Sequence, residues 1–278
     1  MGDGLYDLAA LDMDFTLLNS NHEITPFTRR ALRRADEAGK VIALCTGRCL
    51  SELRPYLDAV PAIRYAINES GGSLYDVRRD RVLRQCSIDR ALGERLLALA
   101  ECRDVLVQCF FGGQAYVQPD AVDRLDHWNM AHHRDVFEMG SAFVGDVREL
   151  WRKSGQPLEK INLHFSTVEE KRRFLDEAGE IDAFVADSLG IGCEISPPDA
   201  TKPAGLDALC RHLGVPVERV MAVGDGANDV ELMRVAGFSV AMGNAVEEVR
   251  RCADALTDDC DHDGAGKAVL KYMLGEEG

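Results

Sequence analysis

The chain has no CxxC pair, no uninterrupted apolar run long enough to cross a bilayer, and too few basic residues to balance its acids. Each absence closes off a class of protein. The nine cysteines (Cys45, Cys49, Cys86, Cys102, Cys109, Cys193, Cys210, Cys252 and Cys260) are odd in number and scattered, several of them inside apolar runs. They read as small hydrophobes in a reduced, cytoplasmic protein. Without an apolar run of about 20 residues there is no membrane span to expect. The opening Met1-Gly2-Asp3-Gly4 places no basic stretch before a hydrophobic one, which argues against a secretory signal. Lys and Arg number 32 against 47 Asp and Glu, a formal charge of −15, so neither nucleic acid nor an anionic membrane is expected as the main partner. Internal repeats and low-complexity linkers are also absent. What is present is an ordinary globular balance, 46% hydrophobic and 28% charged over 278 residues, enough for one large domain or two modest ones.

The first third alternates strand and helix. Tyr6 to Leu11 reads as a buried strand, and Thr25-Pro26 starts a helix with Thr as N-cap and Pro at the first helical position. Ala31, Leu32, Ala35 and Ala38 face inward along that helix, and Gly39 closes it. A second strand, Val41 to Cys45, a short helix around Ser51 to Leu57 and a third strand, Tyr65 to Asn68, complete a β-α-β-α-β order that implies a parallel sheet covered by helices. The same rhythm returns late in the chain: a helix Pro203 to Leu213 closed by Gly214, a buried strand Val220 to Val223, a helix around Asn228 to Val235, a strand Ser239 to Ala241, then helices Glu247 to Ala253 and Gly264 to Leu274.

The middle differs. Gly112-Gly113 between Leu106–Phe111 and Gln114–Val117 is a hairpin signal, Asp89 caps a helix to about Glu101, and Thr167 to Glu170 forms a capping box after a strand Lys160 to Ser166. The expectation is an α/β, Rossmann-like parallel-sheet core formed by residues 1–85 and 191–278, with an inserted α+β cap at residues 86–190.

Four short segments each follow a strand of the α/β part, where open parallel sheets bind ligands. In Leu11-Asp12-Met13-Asp14-Phe15-Thr16, two carboxylates two residues apart lie on one side of an extended chain and repel unless a cation or a proton intervenes. An ionised Asp there can bind metal and attack phosphorus, a protonated neighbour can serve a leaving alcohol, and a solvated acidic turn would look the same. Thr46-Gly47 offers a hydroxyl and a closely approachable N–H to an anion, or is an ordinary turn. Lys202, at a helix start, adds a full charge to the helix dipole or is a lone surface lysine. Gly224-Asp225-Gly226-Ala227-Asn228-Asp229 puts hard oxygen ligands suited to Mg²⁺ at a strand end and in a first helical turn, where Asp also complements the dipole.

In order and spacing the four together resemble the haloacid dehalogenase superfamily. The length and the place of the insert resemble its Cof-type phosphatases, as do Ala241-Met242-Gly243-Asn244-Ala245 and the stretch from Ala253 to Asp263-Gly264. The resemblance implies a Mg²⁺-dependent phosphatase acting on a small phosphorylated metabolite, a sugar phosphate or phosphorylated cofactor, through an aspartyl-phosphate. It implies Asp12 as nucleophile and metal ligand, and Asp14 as general acid and base with its backbone carbonyl on the metal. Asp225 would be a further metal ligand, with Asp229 supporting it. The Met13 backbone, Thr46, the Gly47 N–H, Lys202 and Asn228 would hold the phosphoryl oxygens. The cation and Lys202 would supply the local positive charge that an acidic chain needs at such a site. Two departures stand out: Phe15 where many relatives have Gly, and Cys260 where Asn is common. A phosphomutase or other phosphotransferase of the same superfamily, and a non-catalytic phospho-ligand sensor, are the alternatives. Substrate choice is expected in loops of the cap, Gly112 to Tyr116 and His127 to His133; packing is the expected role of Trp128 and Trp151.

Overall fold

The computed structural model describes residues 6–188 and 190–276, in two compact units. One unit runs through Gly47, continues as Pro55–Arg84 and resumes at Thr201; the other comprises Arg48–Arg54 and Gln85–Ala200. The opening tetrapeptide, read above for a signal, lies outside the described residues. Among the described residues no helix is long and apolar enough to cross a membrane.

The first unit is built on strands β1 (Leu8–Leu11), β2 (Val41–Cys45), β3 (Ile63–Asn68), β4 (Ser73–Asp76) and β5 (Arg81–Gln85). The chain then makes the six strands of the second unit, β6 (Val105–Phe111), β7 (Gln114–Val117), β8 (Ser141–Phe143), β9 (Lys160–Phe165), β10 (Phe184–Ser188) and β11 (Gly192–Ser196). It returns as β12 (Val220–Gly224), β13 (Phe238–Ala241) and β14 (Ala255–Leu256), giving the first sheet the order β14-β13-β12-β1-β2-β3-β4-β5. From β14 to β3 the pairings are parallel; β3 and β4 are antiparallel. Central strands of such a sheet are covered on both faces, so they read as continuous apolar runs rather than alternating ones. Leu8, Ala9, Ala10 and Leu11 are all fully buried, as are Val220 to Val223. This is the α/β parallel-sheet core expected from the sequence.

The helices begin where their caps say. The Thr25 hydroxyl accepts the Thr28 N–H at 3.1 Å, Pro26 opens the helix Pro26–Glu37, and Ala31, Leu32 and Ala35 form its buried stripe. Thr201 caps Lys202–Leu213 in the same way, and Gly214, at φ 66°, ends it. The expected helix from Asn228 is shorter: Ala227–Asp229 forms a tight turn and the helix proper is Val230–Val235.

The second unit is a sheet of order β10-β11-β9-β6-β7-β8, antiparallel except between β7 and β8. Gly112 and Gly113, at φ 62° and 72°, turn β6 into β7 as the dipeptide requires. Asp89 caps Arg90–Glu101 and Thr167 caps Val168–Ala178. Because β11 pairs with β9 and β10, the unit extends past residue 190 to Ala200. Trp151, Phe111, Phe165 and Phe174 fill the core between one face of this sheet and its helices. Trp128, 2% exposed, sits in a second apolar cluster with Leu106, Val117, Leu125 and Phe137, so both tryptophans are packing residues.

Candidate active site

Strand register assembles the site. Leu11 pairs with Leu44 on one side and Val223 on the other, so the residues that follow them emerge along one edge of the sheet. The Asp12 N–H is held by the Val223 carbonyl at 2.9 Å. One step beyond β2, the Thr46 N–H donates to Ile67, while the Thr46 carbonyl accepts from Ser70, both at 2.9 Å. Residues scattered over two hundred positions are thereby fixed by backbone hydrogen bonds before any side chain acts.

The centre is a buried ammonium between two carboxylates. Lys202 Nζ donates to Asp12 Oδ1 and to Asp229 Oδ1, each at 2.6 Å, and the three residues are 3%, 6% and 0% exposed. Asp229 Oδ2 accepts the N–H groups of Asp225 and Gly226 at 3.1 and 3.0 Å. Lys202 reaches this point because its helix start lies hard against the turn Glu69–Gly71. A Cβ on Gly71 would stand 1.9 Å from the Thr201 carbonyl oxygen, and the Gly71 φ of +101° is itself glycine's territory.

Carboxylate oxygens of Asp12, Asp225 and Asp229 lie within 4.8 Å of one another. Lys202 brings one positive charge to these three acids. Burial raises the Asp12 pKa to about 7; Lys202 pulls it down, while Asp229 and Asp225 push it further up. Asp225 is also raised, by burial first, against the Thr16 hydroxyl that donates to its Oδ1 at 2.8 Å. Burial works against the Lys202 ammonium, but Asp12 and Asp229 outweigh it and hold its pKa above the ordinary value. The negative charge left over, out of water, favours either a proton on Asp12 or a bound cation. Three hard oxygen donors at one point suit a divalent ion of the Mg²⁺ kind. The residues therefore fit the metal that the sequence implied.

Beyond Asp12 the chain leaves the extended form expected there. The strand ends at Leu11, and the backbone coils through Met13–Leu17 with Phe15 in the left-handed region at φ 56°. The acids that cluster are Asp12, Asp225 and Asp229, and Asp14 adds a smaller push to the rise at Asp225. The left-handed φ also explains why Gly suits position 15: Phe pays about 1 to 2 kcal/mol for that conformation. Met13 is fully buried, Thr46 is 2% exposed, and Asn228 is exposed at the turn before the Val230 helix.

Two residues in the site were given no role by sequence. Asn244 Nδ2 donates to the Phe15 carbonyl at 2.8 Å and to Asp225 Oδ2 at 3.3 Å, and its Oδ1 accepts the Cys260 N–H at 2.9 Å. It ties the nucleophile loop, the Asp225 loop and the loop of Cys260 together. Because Cys260 contributes its backbone, the side chain at that position is not the point of contact. Thr16 is the other, through its bond to Asp225. The Asn244 segment was visible as a motif; Thr16 carried no signal, since its partner is 209 residues away. The Cys45 thiol also lies in this field: burial, opposed by Lys202 and reinforced by Asp229 and Asp12, pushes its pKa up to about 12, so it stays protonated.

Residues 9–269 match the family model of haloacid dehalogenase-like hydrolases. The chain belongs to this superfamily, in its Cof-type branch, and is a phosphoric monoester hydrolase. Among curated relatives it is similar to a phosphatase of Bacillus subtilis, 28% identical over 96% of this chain and 99% of that protein. It is similar also to a 5-amino-6-(5-phospho-D-ribitylamino)uracil phosphatase of the same organism, 26% identical over 96% of each. Among solved structures, a haloalkanoate-superfamily phosphatase from Bacteroides thetaiotaomicron superposes with a TM-score of 0.78 at 26% identity, covering 98% of this chain and 97% of that one.

Proposed function

We propose that the chain is a Mg²⁺-dependent phosphatase that hydrolyses a small phosphorylated metabolite through a phosphorylated Asp12. The observation that carries this reading is the meeting of Asp12, Asp225 and Asp229 within 4.8 Å beside the buried Lys202 ammonium. When bound, Mg²⁺ would be held by Asp12, Asp225, the Asp14 backbone carbonyl and, directly or through water, Asp229, and would offset the charge repulsion between carboxylate and phosphate.

The chain's own groups do the rest. A carboxylate oxygen of Asp12 attacks phosphorus; its bond to phosphorus forms as the ester P–O bond breaks. Asp14 gives its proton to the departing alcohol oxygen, then takes one from the water that displaces Asp12 and releases phosphate. Lys202 holds Asp12 in place and spreads positive charge towards the transferred group, while the Met13 backbone, Thr46, the Gly47 N–H and Asn228 hold its oxygens. In this reading the second unit, Arg48–Arg54 with Gln85–Ala200, is the cap. All nine cysteines are free thiols, which supports a reducing, cytoplasmic setting.

The test is phosphate release from p-nitrophenyl phosphate by wild type and Asp12→Asn, with and without EDTA. Loss of at least about a thousandfold in the variant, and loss with recovery on chelation and Mg²⁺ return, is expected. A near-wild-type rate in Asp12→Asn would remove the nucleophile, and activity that survives exhaustive chelation would remove the metal. Transfer to a sugar acceptor without phosphate release would make the chain a phosphotransferase instead.

A further inference from the structure

Beyond β3 the chain takes an unfavourable path. Glu69 at φ 52°, Ser70 at φ 55° and Gly71 at φ 101° are three successive residues in the left-handed region. Glycine enters that region freely, whereas Glu and Ser enter it with Cβ crowded against the backbone. Such conformations persist where the surroundings over-determine them, and they collect at ligand clamps. Here the surroundings are two parts of the proposed phosphoryl site. On one side the Ser70 N–H donates to the Thr46 carbonyl at 2.9 Å. On the other, Gly71 lies against the start of the Lys202 helix, where its Cβ would stand 1.9 Å from the Thr201 carbonyl oxygen and 2.9 Å from the Lys202 backbone nitrogen. Ser70 is thereby clamped between the Thr46-Gly47 turn and that helix, with every one of these residues in the first unit.

The clamp brings a hydroxyl to Gly47. Ser70 Oγ lies 3.4 Å from the point a Gly47 Cβ would occupy, beside the backbone N–H proposed above to hold a phosphoryl oxygen. The Ser70 side chain is half-buried, and its hydroxyl makes no hydrogen bond among the described residues. More hydrogen-bonding capacity is unspent just before the corner. Asn68 is 1% exposed, and neither end of its carboxamide has a partner among the described residues. Polar groups taken from water without partners are held at a net loss. A corner that needed only a left-handed backbone would be served best by Gly at position 70. What Ser adds there is one O–H donor, and a phosphoryl group presents three strong acceptor oxygens.

We propose that Ser70 is a further phosphoryl-binding residue, whose hydroxyl donates to the oxygen that the Gly47 N–H also holds. The proposal rests on the phosphatase reading above and adds a third strand end, that of β3, to the phosphoryl site. The strain at Ser70 then has a use: it carries the hydroxyl to Gly47 and keeps it there before the substrate arrives.

The experiment compares wild type, Ser70→Gly and Ser70→Ala, with Mg²⁺ present, in hydrolysis of p-nitrophenyl phosphate, in competitive inhibition by inorganic phosphate and in urea melts. Both variants should lose about tenfold or more in kcat/KM, and phosphate should inhibit them more weakly by a similar factor. Ser70→Gly is relieved of the crowded Cβ, so its urea midpoint should stand at or above that of wild type, and its lost activity is then not a loss of fold. Wild-type kcat/KM and wild-type phosphate inhibition in either variant overturn the proposal. If Gly keeps them, the position serves the backbone alone; if Ala keeps them, the hydroxyl is idle. Turnover of p-nitrophenyl phosphate by the same wild-type preparation separates the two levels: without it the phosphatase reading itself fails and Ser70 loses its role with it, and with it the two variants alone decide.

Discussion

The two sheets of this protein place their chemistry in different directions. In the first, parallel strands are buried on both faces, and only their ends are available: Asp12, Thr46 and Asp225 all lie one or two residues beyond a strand. In the second, largely antiparallel strands have one face packed beneath helices and another on which Gln108, Asn162 and Glu194 lie within the strands beside Leu106, Phe110 and Val117. A strand end is a point, suited to gathering charge around one atom. A sheet face is an area, suited to matching the outline of a molecule.

The sharpest way to break that contrast is to remove the ammonium buried between the strand-end carboxylates. Lys202→Met leaves Asp12 and Asp229 buried without their shared partner. Breaking a buried pair in this way costs about 3 to 5 kcal/mol. Urea melts should show that loss without metal, a partial recovery with Mg²⁺, and p-nitrophenyl phosphate turnover down by about a hundredfold or more. A stable, active Lys202→Met protein would mean the ammonium is incidental.

A smaller effect follows from the corner that positions it. Gly71→Ala forces a methyl into the Thr201 carbonyl and a side chain onto a φ of +101°. It should destabilise by about 1 to 3 kcal/mol and lower turnover with it. Gly192→Ala is the counterpart on the polar face. Its methyl meets His164 and the Ser188 carbonyl, so it should lower stability by a similar amount. Turnover of p-nitrophenyl phosphate should fall less than in Gly71→Ala, since the carboxylate cluster lies in the other unit. Equal losses in both variants would blur the division of labour.

The smallest effect lies far from either. Hydrogen bonds from Arg219, opposed by burial and aided by Lys40, hold the Asp7 carboxyl below the usual carboxylate range. A depressed folded pKa stabilises above the unfolded value of 3.8 and is lost as pH falls through the folded one. Asp7→Asn should therefore lower the urea midpoint slightly at neutral pH, and the gap should close below pH 3.8 as wild-type Asp7 takes its proton. A gap constant down to acid pH would assign the effect to packing.

The contrast also decides what a reader of the sequence can see. Strand-end chemistry is contiguous: Asp12 to Asp14, Thr46-Gly47, Lys202 and Asp225 to Asp229 are short motifs flanked by apolar runs, and their order alone brought them to one place. Side-chain direction was less legible. The coil over Met13–Leu17 replaces the extended run expected after Asp12, and nothing in the local pattern announces a left-handed Phe. Asn244 and Thr16 act through single hydrogen bonds to distant loops. The polar face was hidden for a different reason. Gln108, Asn162 and Glu194 alternate with apolar neighbours in strands whose spatial order departs from their chain order, so their row appears only once register is known. In the loops expected to select substrate, Tyr116 stacks on Phe111 at 4.1 Å and His127 pairs with Asp104.

One detail of the chain path bears on engineering. Residues Arg48–Arg54 belong to the second unit, where the Ser51 N–H meets the Gly113 carbonyl at 2.9 Å and its hydroxyl meets the Gly140 carbonyl at 2.8 Å. The second unit is therefore spliced in at two places, not one. A chimera made by transplanting residues 85–200 alone would leave the hairpin facing a foreign heptapeptide, and exchange of both segments together is the cut the molecule itself prescribes.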